Sequence, residues 1–176
     1  MSLLSRIFGK PADDRAALRP LWNRVVELAR EREWYADCGI ADTVTGRFDM
    51  LTLVLAAVML RMEREDALIE PSVRLSELFV ADMDGQMRQS GVGDLVVGKR
   101  MGQLMGALGG RLGALRDALK AEDGRPREAA LVEVARRNTS LGPQGDPVKV
   151  AGRLKALTDR LAALRAEELL AGRITP

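Results

Sequence analysis

The sequence predicts an all-α protein, a single compact bundle of about six or seven helices around one central apolar helix. Three observations lead there. Hydrophobic residues make up 47% of the chain but aromatics only 3%, so the core has to be assembled from Leu, Val, Ala and Met, as in packed helices. Apolar residues recur at three- and four-residue spacing along most of the length. No segment shows the two-residue alternation of a half-buried strand. At 176 residues the chain is long enough to bury a core of its own. The expected organisation is a flexible or membrane-touching segment at 1–12, a helical core at 13–140, and a loop with a C-terminal helix at 141–176.

Each element has its own signal. Leu18, Leu21, Val25 and Leu28 set a first helix running to about Glu33, with Pro20 in its first turn, where a missing N–H costs nothing. Trp34 and Tyr35 follow, then a loop containing Gly39 and Gly46. A second helix, Phe48 to Arg64, is apolar nearly all round, which marks it as central and buried. Pro71 and Ser72 open a third, whose apolar face is Leu75, Leu78, Phe79 and Met83 and whose end falls near Gly91.

The next helix carries Gly98, Gly102, Gly106 and Gly110, each four residues apart. Glycine costs ~1 kcal/mol relative to alanine inside a helix, so a stripe of four calls for a compensating contact. Close packing of this stripe against the central helix is the expectation; a groove for a partner's helix is the alternative. Leu112 to Lys120 continues or restarts that helix, and Pro126 to Arg137 forms another. After the loop Leu141–Pro147, Val150, Leu154, Leu157, Leu161 and Leu164 line one narrow stripe. Two heptads do not decide between docking on the body and pairing as a short coiled coil.

Charge and cysteine usage narrow the setting. The formal net charge is only +2, but residues 1–97 carry 12 basic and 16 acidic side chains, and residues 98–176 carry 15 and 9. That asymmetry suits an anionic partner such as a membrane surface or RNA, or else simply solvates helix faces. The single cysteine, Cys38, forms no internal disulfide; a reducing compartment and a buried structural thiol follow. No secretory signal is visible, and the longest apolar run, Met50 to Leu60, is far short of the ~18 residues that span a bilayer. The expected location is cytoplasmic, with peripheral contact at the inner face of the cytoplasmic membrane through Leu3, Leu4, Ile7 and Phe8 beside Arg6 and Lys10.

Little in the chain suits catalysis. There is no histidine, so the commonest general base and metal ligand are absent, and one cysteine builds no zinc cluster. Asp82 and Asp84, two apart on a helix, point away from each other; Asp84 and Arg88, four apart, suit a surface ion pair. Gly93-Asp94-Leu95-Val96-Val97-Gly98-Lys99 matches a phosphate-binding loop, but Arg100 stands where the magnesium ligand must be Ser or Thr, and a helix precedes it rather than a strand. All six aromatics lie at or before Phe79, away from the basic half, which disfavours recognition of nucleic acid by stacking. The expectation is no enzyme, no cofactor and no specific nucleic acid. Met83, Met87, Met101 and Met105 are core at helical spacing, or adaptable contacts for an apolar client.

One region combines these features. The stretch from Asp82 to Met101 places charged residues, glycines and methionines around a turn. Together with Trp34-Tyr35 and the run Asp42-Thr43-Val44-Thr45-Gly46-Arg47-Phe48-Asp49, it resembles the ubiquinol–cytochrome c chaperone family, over roughly Leu18 to Lys120. The positions that carry the resemblance are Trp34, Tyr35, Asp49, Asp82, Asp84, Arg88, Gly91, Gly93, Asp94, Gly98 and Lys99. It implies a noncatalytic assembly factor for ubiquinol–cytochrome c reductase, with newly made cytochrome b or another subunit of the cytochrome bc complex as client. The ribosome that makes the client is a further partner that the resemblance implies. The absence of a mitochondrial extension looks bacterial. Asp82, Asp84, Arg88, Gly91, Gly93, Asp94, Gly98 and Lys99 are the expected partner-binding residues, being too polar for core, with glycines that admit a close backbone approach. A helical adaptor that joins other proteins through the glycine stripe or the leucine seam is the alternative.

Overall fold

A long apolar helix organises the rest. In the computed structural model, which describes residues 16–89, 94–120 and 127–175, α3 spans Val44–Met62 and buries 13 of its 19 residues, among them Leu53, Val54, Leu55 and Val58. Thr43 opens it, its hydroxyl accepting from the Gly46 N–H at 3.1 Å. Around it pack α1 (Arg19–Ala29), α4 (Ile69–Gln89), α5 (Asp94–Lys120) and α7 (Pro147–Ala163), while α6 (Arg127–Asn138) bridges α5 and α7. Two five-residue helices, α2 (Arg32–Ala36) and α8 (Ala166–Leu170), complete the set among the described residues. The all-α bundle around a central helix is the architecture expected from composition and periodicity. The sole β-type pairing described is an isolated antiparallel bridge between Ile40 and Leu141.

The first helix is shorter than its periodicity suggests, ending at Ala29 rather than near Glu33. Its terminal carbonyls explain the stop. The Trp34 indole N–H donates to the Leu28 carbonyl and the Tyr35 hydroxyl to the Ala29 carbonyl, each at 2.8 Å. Two aromatic side chains from α2 thus supply donors that a longer helix would have supplied itself, and neither glycine nor proline is needed. Gly46, expected in a loop, lies inside the first turn of α3. A Cβ there would lie 2.0 Å from the Ala41 carbonyl oxygen, so the chain entering α3 passes too close for any side chain.

The glycine stripe is a correction. Gly98, Gly102, Gly106 and Gly110 do not pack against α3: all are exposed, and a methyl group on any of them would have no neighbouring heavy atom within 4 Å. The uninterrupted α5 buries its other side, with Leu108, Leu115 and Ala118 in the core and Leu104 and Leu112 against it. The leucine seam of α7, by contrast, docks. Val150, Leu154, Leu157 and Leu161 are each at most 1% exposed, which excludes the coiled-coil alternative and removes the seam as an adaptor surface. Arg61 of α3 secures the end of this helix, donating to the carbonyls of Leu161 at 3.0 Å and Leu164 at 2.7 Å and pairing with Glu65.

The connections are equally specific. Ala41 N–H donates to the Ser140 carbonyl, Gly142 N–H to Gly39 and Asp146 N–H to Cys38, at 2.8, 2.8 and 2.9 Å. This stitches the α2–α3 loop to the α6–α7 loop. The C-terminal end folds back on α1, where the Arg24 guanidinium donates to the Ile174 carbonyl at 2.7 Å. Gly91 and Gly93, and the N-terminal segment expected to touch a membrane, lie outside the described residues. No described helix is long and apolar enough to cross a membrane.

Candidate functional site

Where α4 ends and α5 begins, the bundle leaves an open cleft of about 620 Å³. The start of α3 supplies Phe48 and Leu51, α1 supplies Val26 and Ala29, α4 supplies Met83 and Met87, and α5 supplies Leu104. These form an apolar floor. Phe48 is held from below: its ring lies 6.4 Å from that of Phe79, and the Arg111 guanidinium stands 5.7 Å over its centre. Val44, the first residue of α3, sits at the lip with 87% of its surface exposed.

The rim is polar and unevenly charged. Arg30, Arg47 and Arg100 line it together with Asp82, Gln86 and Gln103. Arg30 and Arg47 also belong to a second depression of about 690 Å³, completed by Arg32, Tyr35, Ala36 and Asp42. Arg47 pairs with Asp42 at 2.6 Å, both side chains being well exposed. That hydrogen bond holds the Asp42 carboxyl below the usual carboxylate range and raises the Arg47 guanidinium. Burial pushes the Tyr35 phenol up, consistent with a hydroxyl that serves as a donor to α1.

The residues singled out in sequence scatter around this cleft. Asp82 lies on its rim and accepts from Gln86 at 3.0 Å. Asp84 and Arg88 form the expected surface pair at 2.7 Å, one turn apart on α4. Gly98 and Lys99 are exposed on the first turns of α5. Asp94 begins α5, but its side chain, like Gly91 and Gly93, lies outside the described set. Three positions of the resemblance turn out to support the fold. Trp34 and Tyr35 cap α1, and Asp49 is buried beneath the cleft, bound to Arg111 and Ser140.

Sequence reasoning missed the α1 and α3 walls, including Arg30, Phe48 and Leu51. In sequence Arg30 looks like an ordinary solvated charge and Phe48 and Leu51 like core of an apolar helix, until the start of α3 and the end of α4 are brought together. The one available hint was Val44, an apolar residue at a helix start, one turn before Phe48. Chemically, the arrangement offers a hydrophobic trough with positive charge along one edge. Among the described residues no group of three His, Cys, Asp or Glu side chains is placed to hold a metal ion.

Comparison with known proteins agrees with the architecture. Among curated proteins none matches this chain. The fold is similar to the crystal structure of the Cbp3 homolog from Brucella abortus, with a TM-score of 0.78 and 29% identity over 99% of this chain and 96% of that one. The family model described as ubiquinol-cytochrome C chaperone matches residues 36–175, which include α3 and α5 with their walls of the cleft. The chain therefore belongs to the ubiquinol–cytochrome c chaperone family.

Proposed function

We propose that this protein is a noncatalytic assembly factor for ubiquinol–cytochrome c reductase, and that it holds a newly made subunit of that complex, cytochrome b, in the cleft between α1, α3, α4 and α5. Family membership supplies the role. The single structural observation that supports the site is the apolar floor of Phe48, Leu51, Met83 and Leu104, open among the described residues. An open trough with half-buried methionine suits an unfinished apolar client, because an unbranched thioether side chain adapts to irregular surfaces. Asp82 contributes to the rim, Asp84 and Arg88 pair on the last turns of α4, and Lys99 is exposed on the first turns of α5. A cytoplasmic position beside the membrane where the client inserts fits this role. The adaptor reading has lost its leucine seam to the core and keeps only the exposed glycine stripe of α5 as a surface.

The test is genetic. Deleting the gene should lower assembled cytochrome bc complex, read as cytochrome b absorbance and as the complex on native gels. The wild-type gene should restore both; a Val44→Asp/Met87→Asp double variant should not, although it folds. An aspartate at the first residue of α3 is favoured by the helix dipole, so a folding defect from that change is not expected. Unchanged complex in the deletion strain would refute the assembly role.

A further inference from the structure

The apolar cleft and the arginine-lined depression share Arg30 and Arg47, so a hydrophobic trough and a cationic hollow adjoin at these two side chains. Among the described residues Arg30, Arg32 and Arg100 make neither an ion pair nor a side-chain hydrogen bond, while Arg47 has only Asp42. Three of these four arginines belong to a half of the chain that is acidic overall. Arg30, Arg32 and Arg47 thus gather positive charge in the hollow against the trend of that half of the chain, and among the described residues lining the two depressions the carboxylates are Asp42 and Asp82.

We propose that the trough takes a client helix with an apolar face and carboxylates at one end, the apolar side chains lying on Phe48, Leu51 and Leu104 and the carboxylates among Arg30, Arg32 and Arg47. The inference rests on the client-binding reading above and deepens it by naming what the site selects. Charge complementarity fixes the acidic end, since a basic one would meet the three guanidinium groups of Arg30, Arg32 and Arg47. The helical form follows from backbone accounting. The walls are helices whose backbone groups are already paired, so an inserted segment finds no sheet edge and has to satisfy its own N–H and C=O groups. A cleft of about 620 Å³ falls in the range of sites that enclose a handful of apolar groups. Asp82, Gln86 and Gln103 along the rim offer acceptors and donors suited to polypeptide side chains. Selection of this kind acts largely through electrostatic discrimination, with like charges penalised.

Three fluorescent synthetic peptides of about 18 residues, long enough to hold helical structure, test the idea by anisotropy with the full chain. The first has a leucine face ending in three glutamates, the second the same face ending in three lysines, and the third the first peptide's composition with the face scrambled. The glutamate peptide should bind about tenfold more tightly than either other, and its advantage should shrink as salt rises from ~0.05 to ~0.3 M. Arg30→Glu/Arg47→Glu, two exposed positions, should reverse the preference toward lysine while the melting curve stays close to wild type. If the double variant does not fold, Arg32→Glu should still narrow the preference. Equal binding of glutamate and lysine peptides overturns the inference, as does binding of the scrambled peptide equal to the first. Displacement of the glutamate peptide by phosphatidylglycerol vesicles but not by an excess of unlabelled peptide overturns it too, and assigns the trough to lipid. None of these outcomes touches the assembly role, which stands or falls on cytochrome bc levels in the deletion strain.

Discussion

Asp49 on α3 and Arg111 on α5 form a buried ion pair across 62 residues of chain, with side chains 8% and 11% exposed. The carboxylate also accepts from the Ser140 N–H at 2.9 Å and the Ser140 hydroxyl at 2.7 Å, and Arg111 donates to the Asn138 carbonyl at 3.2 Å. Two charges thereby tie α3, α5 and the end of α6 into one unit beneath the cleft. Burial lowers the Arg111 guanidinium, and Asp49 opposes that shift.

Removing one partner of such a pair leaves the other charged, buried and uncompensated. Asp49→Ala should therefore lose about 3–5 kcal/mol of stability, read by urea denaturation. Asp49→Ala/Arg111→Met should be more stable than Asp49→Ala alone, because no orphan charge remains. If the single variant unfolds like wild type, the pair is solvated in solution and does not hold the helices together.

Gly39 has φ +72°, and a Cβ there would lie 2.6 Å from the Gly145 Cα. Backbone strain alone costs an L-residue about 1–2 kcal/mol, and the neighbour is backbone that cannot swing away. Gly39→Ala should destabilise by at least that amount, as measured by thermal melting. The hydrogen bonds that stitch residues 38–41 to residues 140–146 should lose amide protection first in hydrogen exchange.

Much of the fold was legible because each long helix carries its own stripe: α3 is apolar all round, α4 shows Leu75, Leu78, Phe79 and Met83, and α7 shows its leucines. What was not legible depended on contacts between distant segments. The stop at Ala29 needs Trp34 and Tyr35 to turn back on α1, and a periodicity argument cannot see a side chain that caps a previous helix. The glycine stripe was misassigned for a related reason. Spacing shows that four glycines share a face but not which face, and in α5 the leucines at 104, 108, 112 and 115 claim the buried one. The candidate site was half legible: Asp82 and the α4–α5 turn were marked by polarity, while Arg30, Phe48 and Leu51 joined them only through packing.

Because the α5 glycines face open space, alanine there should cost nothing sterically and reduce the helix penalty. Gly102→Ala, Gly106→Ala and Gly109→Ala should each raise stability by about 0.5–1 kcal/mol, and the three should add, since no neighbour couples them. Calorimetry on the triple variant reads the result. A lower melting temperature would mean that this helix face is covered in solution.

Cys38 is buried, and burial pushes its thiol up, with Asp37 acting in the same direction and Arg153 against it. Native protein should alkylate far more slowly with iodoacetamide near neutral pH than urea-unfolded protein. The linkage has a definite sign: the folded state holds the thiol proton more tightly than the unfolded one. This contribution to stability is full below the unfolded thiol's value of ~8.5 and is lost as pH rises from there through the folded value. Cys38→Ala should flatten that part of the alkaline stability profile. A profile identical to wild type would show that the thiol does not titrate differently in the two states.

Asp84 and Arg88 give the sharpest separation of function from stability. Their 2.7 Å pair lies on the exposed side of α4, with side chains 33% and 53% exposed, and exposed pairs one helical turn apart contribute only ~0.5 kcal/mol. Alanine is also at least as good a helix former at both positions. Asp84→Ala/Arg88→Ala, extended to Asp94→Ala at the start of α5, should therefore melt within a few degrees of wild type. If this face is where the client or a helper protein rests, the same variant should fail to restore cytochrome bc complex in the deletion strain. The rim substitutions Val44→Asp/Met87→Asp act on the neighbouring trough, so comparing the two variants distinguishes a client held in the cleft from a partner held on the α4–α5 turn. A stable triple variant that restores the complex fully would remove Asp84, Arg88 and Asp94 from the working surface and leave the trough alone.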